Sequence, residues 1–495
     1  MAEPPVEPGR LHGLVVRGVG WVMASQIVVQ AVGFATTIVV ARFLTPRELG
    51  LAAMALVFST LGLLISDLGL GVAVIQRREL SDVDRSTAFW ATMALGLVVT
   101  SAAIGLSGPI ADLYGEERVE TLFAVLSLSF LFTALGTTQG ALLIRELRFR
   151  SLELRTMVAT SIACAAAIAA AVAGLGPWAI VIQHLVNTGL STLLLWRSSD
   201  WRPRLAFSRR SLREMVGFSG FVFASGLFDY LHRNADNFLI GRYRGATELG
   251  AYAIAYNAML VPLSRLARPL QDVFFPAMSR IRDRDEIGAV WVRISRLVAA
   301  ISVPAFLGLI VLAADFVHIV FGERWREATP VLQILAVVGL LQSLDSQISS
   351  VLLALDRPRV LFRIVVVATV VSVASFAIGL HWGIEGVATA YALASLAILP
   401  FNLWLTGRVV AIPVRRFLLA FSGVAQAAIV MGLAVWGTRE LLLELGVPTG
   451  PRLTLCVLVG AAVYLPLCVW RAPEVVAELR RVRERRAAGR TDASS

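Results

Sequence analysis

Fourteen times along the chain, an apolar run of about twenty residues is bounded by charge or by glycine and proline, and no other feature restricts the fold as tightly. A run of that length spans the hydrocarbon of a bilayer as a helix. The lipid core offers no water to backbone polar groups, so each run must satisfy its own N–H and C=O groups. The runs lie near 18–41, 48–74, 86–111, 119–144, 154–174 and 177–196, then 215–240, 249–275, 297–320, 329–355, 361–380 and 384–406, with a last pair near 417–437 and 453–470. Charged residues make up 16% of the chain and the mean hydropathy is +0.74. Soluble domains carry about 25% charge, so a soluble globular protein is excluded. The expectation is an all-α polytopic membrane protein with about 14 transmembrane helices. Residues 1–11 are polar and proline-rich, and the run after them lacks a clear cleavage site. It is predicted to be an uncleaved first span.

The basic residues orient these spans. The chain has no lysine, so all 45 basic residues are arginine. Arginine collects in cytoplasmic loops. With both termini inside, 33 of the 45 fall on the cytoplasmic side and nine on the other, with three inside spans. One mis-assigned span would reverse the bias of every later loop, so the consistent excess supports both the even count and the orientation. The net charge of +11 is then a consequence of topology, and nucleic acid is not an expected partner. Without lysine there is neither a Walker A loop nor a Schiff base. Cys164, Cys456 and Cys468 sit in apolar runs with no metal-ligand or C-x-x-C spacing, so no cofactor or metal is expected.

The chain also repeats at an offset of 200. Gly20, Val22, Ala24 and Ser25 recur as Gly220, Val222, Ala224 and Ser225, and Arg42, Glu48, Leu49 and Gly50 recur as Arg242, Glu248, Leu249 and Gly250. Six spans separate the copies, so both begin on the same side. That predicts two six-helix lobes related by a pseudo-twofold axis along the membrane normal and enclosing a central cavity. The predicted organisation is a cytoplasmic N-terminus (1–17), a first lobe (18–196), a basic amphipathic linker on the inner leaflet (197–214), a second lobe (215–406), two appended helices (417–470) and a basic cytoplasmic tail (471–495).

Charges within spans are costly and therefore informative. The seventh span holds Asp229, His232, Arg233 and Asp236, and the eighth holds Arg265, Arg268 and Asp272 beside Pro262 and Pro269. Arg265 and Arg268 are three apart and share a helix face. Local pairing of Asp229 with Arg233, Arg233 with Asp236, and Arg268 with Asp272 is one account of these residues. A water-filled cavity is the better one, because so many polar groups in one span are otherwise unaffordable. Guanidinium forks suit phosphate or diphosphate, which makes Arg233, Arg265 and Arg268 the expected anion-binding residues. Asp229, His232, Asp236, Asp67 and Asp345 are candidates for ion coupling or for lining the cavity. Asp67 aligns with the depth of Arg268 under the repeat, and Asp345 could equally be consumed in a helix–helix hydrogen bond. The small-residue run from Cys164 to Ala173 reads as close helix packing.

Several blocks resemble a known family. ARFLTPRELG from Ala41, DLGLGVAVIQRRELSDVDRSTAFW from Asp67, NADNFLIGRYRGATELGAYAIAYN from Asn234, PLQDVFFPAMSR from Pro269 and FGERWREATPVLQILA from Phe321 occur in order over residues 15–410. They resemble the polysaccharide transporter family, the Wzx-type branch of the multidrug/oligosaccharidyl-lipid/polysaccharide (MOP) flippase superfamily, and look closest to its colanic-acid and teichuronic-acid exporters. The resemblance implies a bacterial inner-membrane flippase, not an enzyme. It would move undecaprenyl-diphosphate-linked oligosaccharide outward by alternating access, for exopolysaccharide, capsule or lipopolysaccharide assembly. Its partners would be membrane lipids and, further, a polysaccharide polymerase and chain-length machinery. These blocks are scaffold and do not designate the arginines. A lipid II flippase and a multidrug antiporter of the same superfamily stay open. The basic excess of the eighth span argues against a cationic drug. A membrane glycosyltransferase or ligase would need a larger outer loop than residues 437–452.

Overall fold

The structure, a computed structural model, describes residues 8–77, 79–263, 281, 283–475 and 477–478. Its regular elements, among these residues, are all helical. In chain order they are α1 (Pro8–Phe43), α2 (Pro46–Asp67), α3 (Leu70–Gln76), α4 (Asp82–Tyr114), α5 (Arg118–Leu126), α6 (Leu128–Arg145), α7 (Phe149–Val172), α8 (Trp178–Ser198) and α9 (Arg209–Pro262). Then follow α10 (Arg284–Val320), α11 (Ala328–Asp345), α12 (Ile348–Ala354), α13 (Pro358–Gly379), α14 (Gly383–Val409), α15 (Val414–Leu419), α16 (Ser422–Glu444) and α17 (Thr449–Arg471). Among the described residues, ten helical segments are long and apolar enough to cross a membrane, one of them, 358–409, covering two expected spans. The seventh span and the eighth as far as Pro262 lie on α9, and the thirteenth lies on α15 and α16. The expected all-helical membrane architecture is therefore present.

Local sequence explains where the helices start and break. Thr45-Pro46-Arg47-Glu48 forms a capping box: the Thr45 hydroxyl accepts the Glu48 N–H while the Glu48 carboxylate accepts the Thr45 N–H. Ser81 and Asp84 repeat the device at α4. The second span is one apolar run in sequence but two helices in space, because Leu68 and Gly69 both adopt left-handed φ (42° and 73°). α9 is continuous except at Gly245, whose φ of 85° only glycine adopts cheaply.

The chain divides into two compact units, residues 1–250 and 251–495. In the first, α7 packs on α1 and α8 through a stripe of small residues, Ala159, Ala163, Ala167 and Ala170, which lets backbones approach closely. The segment between α8 and α9 is tied to the start of α4. Trp90 Nε1 donates to the Arg204 carbonyl (2.8 Å), and the N–H groups of Arg204 and Ser208 donate to the hydroxyls of Ser86 and Thr87 (3.1 and 2.9 Å). Leu205 and Phe207 nevertheless stay exposed on this segment. In the second unit α16 and α17 pack on each other and on α10. There Trp291 stacks on Phe417 with ring centroids 4.2 Å apart, and the Tyr464 hydroxyl donates to the Ala300 carbonyl (2.6 Å).

Candidate functional site

Asp229, Arg233 and Asp236 lie at 0°, about 40° and about −20° around α9, hence on one face. Their surroundings change along that face. Asp229 and Arg233 form an ion pair, Arg233 Nε donating to both carboxylate oxygens at 3.0 and 2.9 Å, yet their side chains are 59% and 49% exposed. Two turns nearer Gly245, Asp236 is 2% exposed and accepts the Asn237 N–H at 2.7 Å. His232 lies between them, partly buried, and its Nδ1 has no hydrogen-bond partner among the described residues.

Other faces of α9 anchor it within the first unit. Phe238 on α9 meets Phe58 and Tyr114 edge to face, at centroid distances of 6.0 and 6.2 Å. The Tyr230 hydroxyl donates to the Val57 carbonyl (2.9 Å). Beyond these rings, two glycines allow backbone-to-backbone contact. A methyl group on Gly50 would overlap the Ala246 carbonyl, and one on Gly250 would overlap the Pro46 carbonyl. The two contacts exchange under the same 200-residue offset that appears in the sequence. α9 thus carries a polar face whose exposure falls from the Asp229–Arg233 pair to the buried Asp236.

The other expected residues lie elsewhere. Asp67 ends α2, where its carboxylate accepts the Gly71 N–H at 3.3 Å. Asp345 ends α11 at the two-residue gap before α12, and both of its oxygens accept from Asn402 Nδ2 on α14 at 3.2 Å. Beside it Gln342 Nε2 donates to the Tyr391 hydroxyl (2.8 Å). Arg265 and Arg268, with Asp272, lie outside the described residues.

Sequence reasoning missed a second charged centre. Asp315, on α10 and 2% exposed, receives Arg439 Nε at 2.8 Å and Arg452 through Nε at 3.1 Å and Nη2. The two arginines flank the turn between α16 and α17 and looked like ordinary loop charges. The available signal was Asp315 itself, a lone carboxylate within an apolar run. No group of three or more His, Cys, Asp or Glu side chains suited to a metal occurs among the described residues.

Comparison with known proteins decides the family. A family model for polysaccharide biosynthesis proteins matches residues 39–330. The chain belongs to the polysaccharide transporter family, among the Wzx-type flippases of the MOP superfamily. The lipopolysaccharide biosynthesis protein WzxC of Escherichia coli K12 is 32% identical to this family member over 74% of this chain and 76% of its own length. The teichuronic acid biosynthesis protein TuaB of Bacillus subtilis 168 is 27% identical over 84% and 87%. In fold, this family member resembles the lipid II flippase MurJ in an inward closed conformation. The TM-score is 0.76 at 15% identity, covering 92% of this chain and 99% of that one.

Proposed function

We propose that this family member moves a polyprenyl-diphosphate-linked oligosaccharide, with undecaprenol as the lipid, from the cytoplasmic to the outer leaflet of a bacterial inner membrane, with both termini in the cytoplasm. Membership of a flippase family supports the reaction class. The observation that carries the site is the exposed Asp229–Arg233 pair. Asp229 lies roughly 20 Å along the seventh span. An ion pair at that depth facing hydrocarbon would cost several kcal/mol, so the face it occupies is wet. On this topology the exposed pair lies nearer the cytoplasm than the buried Asp236.

Arg233, with Arg265 and Arg268 on sequence grounds, is proposed to hold the diphosphate, since three guanidinium groups supply bidentate donors without needing a metal. Asp229 then acts as the displaceable partner that keeps Arg233 neutralised while the site is empty. Asp345, Asp67, Asp236 and His232 remain the proposed groups for ion coupling. Transfer of the lipid between leaflets requires no covalent step, so the chain's residues bind and release without making or breaking bonds.

The test is flipping of an undecaprenyl-diphosphate oligosaccharide in proteoliposomes, with and without proton or sodium gradients. Wild-type protein is expected to move the lipid, and Arg265→Ala/Arg268→Ala protein to lose at least about tenfold in rate, the effect of removing charged hydrogen bonds. A double mutant that flips at the wild-type rate would remove the arginines from the mechanism. A wild-type protein that moves no lipid under any gradient would overturn the reaction itself.

A further inference from the structure

The second unit contains a cavity of about 460 Å³ that the transport reading does not use. It is bounded by the C-terminal end of α10, the turn at residues 323–325, the start of α11 and the ends of α16 and α17 that face each other. Its floor is Asp315 with Arg439 and Arg452. Two guanidinium groups on one carboxylate leave a positive charge, and Glu440 takes up Arg439 Nη1 at 2.8 Å. This cluster by itself explains how α16 and α17 are fastened to α10.

It does not explain Arg326. Arg326 lines the same cavity, is exposed, and has no ion-pair partner among the described residues. The carboxylates of the wall pair elsewhere: Glu323 contacts His318 Nδ1 at 2.6 Å, and Asp315 is shared by the two other arginines. The wall also includes Thr329 and Thr449, which stand in the first turns of α11 and α17. Two helix N-termini therefore add their partial positive charge to a cavity already lined by three arginines.

We infer that this cavity is an anion site that takes a phosphate-bearing headgroup at the outer face of the membrane, with Arg326 as the contacting guanidinium and the buried Asp315–Arg439–Arg452 cluster as its rigid base. The assignment to the outer face rests on the topology proposed above. A phosphate there comes from one of two sources: the diphosphate of the translocated lipid, or a resident anionic phospholipid. Either presents the same oxygens to Arg326.

The experiment uses the full chain in phosphatidylcholine nanodiscs, titrated with inorganic pyrophosphate by calorimetry. Two binding components are expected; Arg326→Ala should weaken one of them by at least about tenfold and Arg326→Glu should abolish it, leaving the component carried by Arg233, Arg265 and Arg268. Arg324→Ala, two residues away and outside the cavity wall, is expected to leave it unchanged. A second arm adds phosphatidylglycerol to the nanodiscs and measures retained lipid by native mass spectrometry. Arg326-dependent retention that competes with pyrophosphate supports the site and identifies a resident headgroup; pyrophosphate binding that phosphatidylglycerol does not affect supports the site and identifies the translocated diphosphate. Equal pyrophosphate affinity in wild-type and Arg326→Glu protein overturns the inference, as does binding lost only in Arg265→Ala/Arg268→Ala. Proteoliposome flipping separates the two readings. Flipping without Arg326-dependent binding overturns the anion site alone, whereas Arg326-dependent binding without flipping overturns the transport reading alone.

Discussion

Two aspartate–arginine clusters in this protein use the same chemistry in opposite ways. On α9, Asp229 and Arg233 pair one turn apart, and about half of each side chain is exposed. At the end of α10, Asp315 is buried and joined by two arginines that lie more than a hundred residues further along the chain. The Asp229–Arg233 bond joins two residues of the same helix. The second connects α10 to both α16 and α17. A charge kept exposed at membrane depth is available to a ligand, and a charge buried between two partners is committed to the fold. The contrast shows why the presence of an ion pair within a span does not itself reveal a role; exposure and sequence separation do.

The largest expected effect tests the committed side. Replacing Asp315 with alanine leaves Arg439 and Arg452 buried without their carboxylate, which typically costs about 3–5 kcal/mol. Thermal unfolding of the purified protein in detergent should show a clear loss of stability, and Asp315→Asn a smaller one, since the amide oxygen can still accept from a guanidinium. If Asp315→Ala unfolds as late as wild type, the cluster does not fasten α16 and α17 to α10, and the comparison fails at its stronger end.

How far each region was legible in the sequence follows from the same physics. The positions of the spans were readable because the bilayer imposes a fixed length on an apolar run. Breaks such as Leu68–Gly69 were not, because a left-handed pair within an apolar run leaves hydropathy unchanged. Asp229 and Arg233 stood out because four residues on a helix bring them together without any knowledge of tertiary packing. The Asp315 cluster was invisible for the converse reason: its partners lie 124 and 137 residues further along the chain, and arginines next to a loop carry no sign of burial. Asn402 was hidden in the same way, since nothing in the sequence tells that it faces Asp345.

The contrast of open and committed recurs within α9 itself, between the exposed Asp229 and the closely packed segment around Ala246 and Gly250. A valine at Gly50 or at Gly250 would overlap a backbone carbonyl that cannot withdraw like a flexible side chain, and overpacking of this kind costs about 1–3 kcal/mol. Because the two contacts exchange under the 200-residue offset, the two substitutions should act alike. A cysteine placed at Phe238 reports the outcome by its rate of labelling with an aqueous maleimide. That rate should rise about tenfold or more in either valine background, matching the expected cost of the overlap. Gly33→Val is the control, since a side chain there meets open space. Acceleration by Gly50→Val but not by Gly250→Val would break the reciprocity, and with it the link between the sequence repeat and this contact.

The smallest stability effect belongs to the exposed pair, and it is the most discriminating. Exposed i,i+4 ion pairs contribute about 0.3–0.5 kcal/mol, so Arg233→Ala should scarcely move the unfolding midpoint. If Arg233 contacts the diphosphate, the same substitution should lower flipping by about tenfold, because a charged hydrogen bond to the ligand is lost. Asp229→Asn makes the prediction sharper. It removes the competing carboxylate but keeps the shape, so it should leave stability unchanged and tighten binding of inorganic pyrophosphate to the protein with Arg326 already replaced by alanine. Weaker binding in that variant would mean that Asp229 positions Arg233 for the ligand rather than occupying it in the ligand's absence. A drop in stability comparable to that of Asp315→Ala would mean that the α9 pair is structural after all, and that its exposure marks no binding face.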